Sequence, residues 1–287
     1  MPSSLGSGIS SGPREPSKKA RAKASDVLMI SLLPWSVFSL IVCLLTYSDP
    51  EIQVLVWGLV AVCAFLSILF IILGKARAHH LRLAMGFLAL GAVFVSVPTG
   101  MMIESEFMAE YWRLDSGASY KNLRANEPGA AHHDATMLHF VPGTAVVLDK
   151  SLGYMKAGNT FCVAPVASGG AAQSPHFWAV GQNCCDPRGA FSCGDAEDRS
   201  ALTAIAVTAN KEHYYNAVRM AESAYGLGPL TGPPMLLHWT KDASGYKNDL
   251  WWNSTILVLC ASLVHLLASG FAGAIVARAL KDRVPVR

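Results

Sequence analysis

The sequence predicts a membrane protein, a four-helix transmembrane bundle with an α+β, disulfide-stapled extracytosolic domain between its third and fourth helices. Three observations predict it. Val27 to Tyr47, Ile52 to Gly74, Leu81 to Met102 and Trp251 to Val276 each supply the roughly 20 mostly apolar residues that a bilayer crossing needs. One hydrophilic segment, residues 103 to 250, separates the third stretch from the fourth and holds four of the seven cysteines. Lysine and arginine are divided unevenly between the two sides that these spans define.

At 287 residues the chain has room for such a bundle and one soluble domain of ordinary size. Arg14, Lys18, Lys19, Arg21 and Lys23 precede the first span, Lys75, Arg77 and Arg82 flank the loop after the second, and Arg278, Lys281, Arg283 and Arg287 follow the fourth. These twelve basic residues meet only three acidic ones, Glu15, Asp26 and Asp282, which leaves eleven basic and seventeen acidic residues for the other side. Cytoplasmic segments retain the basic excess. Both termini are therefore expected in the cytoplasm, with residues 103 to 250 outside or in a lumen, at either the plasma membrane or an endomembrane. The net charge of +3 reads as a topology signal and gives no reason to expect nucleic acid. The expected partners are the lipid bilayer and, through the outer domain, other membrane proteins or an extracellular ligand.

Residues 1 to 26 read as a disordered basic tail, because the Ser, Gly and Pro-rich start lacks an apolar period. The first span, residues 27 to 47, begins late and is too long for a signal-peptide core, so an uncleaved anchor is expected. Only Ser48 to Glu51 join it to the second span, residues 52 to 74, which demands a tight antiparallel hairpin. Gly86, Gly91 and Gly100 of the third span, residues 81 to 102, and Ser262, Ser269, Gly270 and Gly273 of the fourth, residues 251 to 276, are small enough for close helix approach. Residues 277 to 287 form the second cytoplasmic tail. His265 is the one ionisable side chain deep in a span, and it reads either as packing polarity or as a proton-handling group of a transporter or channel component. Cys43, Cys63 and Cys260 read as small hydrophobes.

In the outer segment, Glu104, Glu106 and Glu110 interleave with Phe107, Tyr111 and Trp112, predicting a helix that leaves the membrane through an aromatic belt. Ala145 to Asp149, Thr160 to Val166 and His176 to Gln182 predict strands. Tyr214, Val218, Ala221 and Tyr225 lie on one helical face that Gly226 can end, giving a small sheet with a helix packed on it. Pro229, Pro233 and Pro234 predict an irregular return to the membrane.

An even count of four cysteines in a disulfide-permissive compartment predicts two bridges among Cys162, Cys184, Cys185 and Cys193. Joining adjacent Cys184 and Cys185 is strained, so each is expected to pair with Cys162 or Cys193. Zinc on Cys184, Cys185 and Cys193 is the competing reading, but it lacks the usual close C-x-x-C-type spacing. His132, His133 and His139, beside Asp134, are the other metal candidates, and they match no established metalloenzyme pattern. No nucleophile elbow, Walker loop or dinucleotide fingerprint occurs. No cofactor and no enzymatic activity are expected. The sequence favours an interaction or scaffold protein, followed by a transport component using His265, then a membrane-anchored metal-binding or enzymatic domain.

Four spans, cytoplasmic termini and a large domain with a Cys-Cys pair between spans three and four resemble tetraspanin topology, although Cys185 precedes Asp186 where tetraspanins have glycine. Phe161 to Pro165, Phe177 to Gly181, Asn183 to Cys185, Phe191 to Asp195 and Ala221 to Tyr225 resemble an abundant family of membrane proteins of algal and related microbial eukaryotes. That resemblance covers about residues 140 to 240. It implies a recurring disulfide-stapled outer domain without implying an activity.

Overall fold

The computed structural model describes residues 18–77, 80–169, 174–228 and 232–282. Its helices are α1 (Lys18–Tyr47), α2 (Gln53–Ala76), α3 (His80–Ile103), α4 (Ala109–Ser116), α5 (Lys211–Tyr225) and α6 (Ala243–Asp282). The chain divides into two compact units, one running to Glu106 and resuming at Ser254, the other spanning Phe107–Asn253. The first contains α1, α2, α3 and most of α6, four helices long and apolar enough to cross a membrane.

Close approach organises this helical unit. A Cβ on Gly86 of α3 would stand 2.7 Å from Ile71 Cγ1 and 2.9 Å from the Ser67 carbonyl of α2, and one on Gly100 would stand 2.8 Å from Leu45 Cβ of α1. Gly91 and Gly270, expected at contacts, have nothing within 4 Å, because they lie on other faces of their helices. Between α1 and α6 the contact is polar. Trp35 Nε1 donates to the Ser262 carbonyl at 3.1 Å and to its hydroxyl at 3.0 Å, Ser39 and Ser262 hydroxyls are 2.7 Å apart, and the Tyr47 hydroxyl donates to Thr255 at 2.9 Å. The turn between α1 and α2 is a 3-10 turn, Pro50–Ile52, in which the Glu51 amide donates to the Asp49 carboxylate.

Two boundaries differ from expectation. Helix α1 starts at Lys18, so residues 18 to 26 are helical where a disordered tail was predicted; lysine, alanine and arginine are strong helix formers whatever their hydropathy. Residues 1–17 of that tail lie outside the described residues. Helix α6 starts eight residues before the predicted Trp251 and continues to Asp282, through the start of the predicted 277–287 tail. A hydropathy window misses its polar first turns. The start is set by Asp242, whose Oδ1 accepts the Gly245 amide at 2.8 Å and the Ser244 hydroxyl at 3.0 Å, satisfying helix-end donors.

The second unit is built on one eight-stranded mixed sheet: β1 (Ala118–Leu123), β2 (Ala135–Phe140), β3 (Thr144–Val146), β4 (Leu152–Lys156), β5 (Asn159–Ser168), β6 (Phe177–Gln182), β7 (Thr203–Ala206) and β8 (Met235–Thr240). The order is β1-β2-β7-β8-β6-β5-β3, with β4 also beside β5; the β1/β2 and β6/β8 pairs are parallel and the others antiparallel. The predicted small sheet is thus too small. Strands β1, β2, β4, β7 and β8 were not expected, and β8 runs through the middle of the sheet where an irregular return was predicted. Its sequence, Met-Leu-Leu-His-Trp-Thr, sends Met235, Leu237 and Trp239 into one core cluster and Leu236 into another, and a strand buried on both faces lacks clean alternation.

On one face α5 lays Tyr214, Ala217, Val218 and Ala221 against Phe161, Val163, Trp178 and Val180. Trp178 is fully buried there, and its ring nitrogen donates to the Pro175 carbonyl at 3.1 Å. Alongside, Leu114 of α4 and Ala243 and Leu250 of α6 cover Ile205. The opposite face carries Phe140, Phe177 and Trp239, roofed by Phe191, Cys193 and Ala196 of the long connection from β6 to β7.

Candidate functional site

The most organised chemistry in the sheet unit is sulfur. Cys162 of β5 stands in register with Gly153 of β4 on one side and Gly181 of β6 on the other. A glycine within a strand marks close approach of another group, and here the groups are cysteine sulfurs. A Cβ on Gly181 would lie 2.5 Å from the Sγ of both Cys184 and Cys193, and one on Gly153 would lie 3.1 Å from Cys185 Sγ.

The chain leaves β6 through Asn183, which has φ 58° and is pinned to β5 twice: its amide donates to the Thr160 carbonyl and its side-chain Oδ1 accepts the Thr160 amide, both at 2.8 Å. Cys184 and Cys185 follow directly. Ser192 returns to donate its amide to the Cys184 carbonyl at 2.9 Å, which closes the loop over the glycine row. The bridges are Cys162–Cys185 and Cys184–Cys193, one of the two pairings the sequence leaves open. Cys162 and Cys193 are buried, whereas Cys184 and Cys185 are half-buried. The Sγ atoms of Cys162, Cys184 and Cys193 all lie within 4.8 Å of one another.

The histidines do not gather. His132 and His133 sit at the end of a 3-10 turn, Gly129–His132, while His139 lies on β2, opposite Thr203 of β7. An extended strand advances about 3.3 Å per residue, so Ala135 to His139 alone carries His139 about 13 Å onward. Among the described residues Cys162, Cys184 and Cys193 are the one group of three or more His, Cys, Asp or Glu whose ligand atoms converge, and the weak metal candidates His132, His133 and His139 form no such group. His132 instead makes a local lock. Its Nε2 is 3.3 Å from Glu127 Oε2, its ring meets Tyr120 edge-on with centroids 4.8 Å apart, and the Tyr120 hydroxyl donates to both oxygens of Asp134 at 3.0 Å. That hydrogen bond, with burial, pushes the Tyr120 phenol up from its ordinary range. Glu127 and Tyr120 carried no sequence signal of this role, since each depends on β1 lying beside β2.

His265 lies on α6 with its ring stacked parallel on Phe38 of α1, centroids 4.1 Å apart, and its Nδ1 3.2 Å from the Ser269 hydroxyl one turn along. Trp35 and Ser39, which bond Ser262, lie in the adjacent turn of the same seam. Cys43, Cys63 and Cys260 are unbridged, Cys43 and Cys260 on exposed helix faces and Cys63 half-buried.

The sheet unit also has an open cleft of about 590 Å³, lined by Arg124 and Asn126 after β1, Val141 and Pro142 after β2, and Ser168 at the end of β5. The outer edges of the sheet are less open to a partner strand. Edge strand β1 carries Lys121 and breaks register between Tyr120 and Leu123, with Asn122 at φ 60°; at the other edge, where the three-residue β3 and β4 both flank β5, β4 ends on Lys156. Taken together, fold and site define a bridged mixed-sheet domain placed in sequence between long apolar helices. Compared with protein families, curated proteins and solved structures, the chain has no match.

Proposed function

We propose that this chain is an integral membrane protein with both termini in the cytoplasm, whose bridged outer domain acts as an interaction or scaffold module for other membrane proteins or an extracellular ligand. The observation that carries the binding role is the 590 Å³ cleft, which sits at the strand ends, combines Arg124, Asn126 and Ser168 with apolar walls, and has a size typical of ligand-binding clefts. Blunted sheet edges direct a partner toward this opening and away from strand addition. The membrane part of the reading is supported by large apolar side chains on the outside of the helices: Val54, Phe94 and Phe271 are 79%, 80% and 72% exposed, a surface that acyl chains solvate and water does not. The architectural resemblance to tetraspanins, and to the algal family with a Cys-stapled outer domain, agrees with this reading. His265, with a stacking partner and a hydroxyl partner, supports packing over proton transport.

A photo-crosslinking residue placed at Ser168 in the cleft should give discrete adducts in intact cells, and the same residue at exposed Lys211, which starts α5 and does not line the cleft, should not. Equal labelling at both positions would sink the binding role. Protease added to sealed, right-side-out vesicles should cut within 107–253 and spare the termini; the reverse pattern would invert the topology.

A further inference from the structure

The two bridges share one sulfur cluster. We propose that, once both bridges are reduced, the four cysteines bind a single Zn²⁺ as a tetrahedral thiolate site, so that the same residues staple the domain covalently when oxidised and through metal when reduced. This goes beyond a binding role for the cleft, which lies elsewhere on the sheet and does not depend on it.

Geometry carries the inference. Zinc–thiolate bonds of about 2.3 Å in a tetrahedron place the sulfurs about 3.8 Å apart. The Sγ atoms of Cys162, Cys184 and Cys193 already lie within 4.8 Å of one another, and Cys185 Sγ is one bond from Cys162 Sγ. Once the bridges open, rotation about the cysteine side-chain bonds is the movement that would bring all four sulfurs to the tetrahedral spacing. Gly153 and Gly181, flanking Cys162, carry no side chain where the sulfurs lie, so the sulfurs pack directly against the strands beside Cys162.

The backbone that presents the cysteines is held by bonds independent of the bridges. Cys162 lies within β5, paired on both sides; Asn183 is tied to Thr160 through two hydrogen bonds; and the Ser192 amide is tied to the Cys184 carbonyl. None of these bonds runs through sulfur, so cutting the disulfides does not remove them. Metal sites with loosely held ligands lose the binding energy that this arrangement retains. The sequence spacing of Cys184, Cys185 and Cys193 looked wrong for zinc because the fourth ligand, Cys162, comes from a neighbouring strand, β5.

The chemistry balances with a dithiol as reductant. Two dithiol molecules each pass two electrons and two protons to one bridge, breaking two cysteine S–S bonds and leaving two cyclic disulfides of the reductant and four cysteine thiols. Zn²⁺ then displaces the four thiol protons and forms four Zn–S bonds, with a net charge of −2 on the site.

The test uses the full chain in detergent, with Cys43, Cys63 and Cys260 replaced by Ala so that only the cluster holds thiols. After reduction by a dithiol and its removal under anaerobic conditions, Co²⁺ is titrated as the spectroscopic probe for zinc. Expected are one Co²⁺ per chain, a sulfur-to-cobalt charge-transfer band with the intense visible bands of a tetrahedral site, and complete displacement by Zn²⁺. The unreduced protein should give none of these. Cys193→Ser, reduced in the same way, should lose part of the charge-transfer intensity and bind Zn²⁺ more weakly by at least the roughly 10-fold seen even for outer-shell changes. Near-UV circular dichroism from buried Trp178 and Trp239 monitors the fold of each sample. A reduced, folded chain without the band, a reduced chain that unfolds and does not regain the Trp signal with Zn²⁺, or a band undiminished in Cys193→Ser would each overturn the proposal.

Discussion

The two units place the same residue types in opposite positions. In the sheet unit Trp178, Trp239, Phe177 and Phe191 are buried completely, and the exposed large apolar side chains before Tyr246 are Met155 and Met220 among the described residues. In the helical unit α2 hides only Val56, Val60, Ser67 and Gly74, while Val54, Leu55, Phe65 and Ile72 point outward. One unit gains stability by removing apolar surface from water. In the bilayer proposed for the other, helices surrounded by equally apolar chains cannot gain it from one another, and close backbone approach at Gly86 and Gly100 and hydrogen bonds at Ser262 take its place. The lesson is that burial alone does not identify what stabilises a region; the surrounding solvent must be known as well.

Five experiments break or sharpen this contrast. The largest effect is expected from the bridges, which belong only to the sheet unit. Replacing Cys162 and Cys185 by Ala should lower the stability of that unit by about 2–5 kcal/mol while the helical signal of the apolar unit persists. The separation is 23 residues for this bridge and 9 for Cys184–Cys193. Loop entropy therefore predicts a cost about 0.8 kcal/mol larger than for replacing the Cys184 and Cys193 pair. Parallel loss of both units in thermal unfolding would contradict their independence.

Next comes Gly86→Leu. If the helical unit were held by apolar bulk, an added leucine would be tolerated. Because the Cβ alone would collide with Ile71 and the Ser67 backbone, destabilisation of about 1–3 kcal/mol is expected, read from unfolding in mixed micelles. A neutral or stabilising result would remove close approach as the organising term.

A smaller change is expected along the α1–α6 seam. Ser262→Ala takes away the hydroxyl bonds to Trp35 and Ser39 but leaves the backbone carbonyl as an acceptor for Trp35. Hydrogen bonds between membrane helices average about 0.6 kcal/mol, and a loss of that order should appear in the same assay. His265→Gln should leave folding and any partner capture close to wild type, since an amide retains hydrogen-bonding capacity toward Ser269. A pH-dependent flux in vesicles that vanishes in His265→Gln would instead establish proton handling.

The smallest effect concerns pH in the sheet unit. His238 on β8 packs beside Tyr246, ring centroids 6.1 Å apart, and its burial lowers its pKa below the ordinary 6.5, a pull only partly opposed by the charge of Asp195. The neutral ring is the form that folding favours. Its contribution is full above pH 6.5 and is lost as pH falls below that value, because the unfolded chain then binds the proton more readily. A pH series of unfolding midpoints should show this acid loss in the wild type and its attenuation in His238→Gln; identical slopes would rule His238 out as the source.

The four apolar helices and the stapled domain between the third and fourth were legible in the sequence, because hydropathy over 20 residues and the choice of residue types are local quantities. So was the face of α5, where Tyr214, Val218 and Ala221 recur at helical spacing. Strands β1, β2, β4, β7 and β8 were not, and neither were the partners of His132. A short strand becomes one only when another accepts its amides, and β7 and β8, Thr203–Ala206 and Met235–Thr240, are 28 residues apart in sequence and adjacent in the sheet. Gly181 was the missed clue, a glycine inside an otherwise aromatic and β-branched run.

The sequence by itself determined where the chain is apolar enough to cross a membrane, how its charge is distributed, and that four cysteines belong to one soluble domain. Only the tertiary structure decided that Cys162 joins Cys185 and Cys184 joins Cys193, that the sulfurs of Cys162, Cys184 and Cys193 converge, and that the histidines do not. The physical reason is range. Hydropathy and helical period act between near neighbours, whereas sulfur positions depend on the register of β4, β5 and β6 and on two glycines whose missing side chains leave the space that the cysteines occupy.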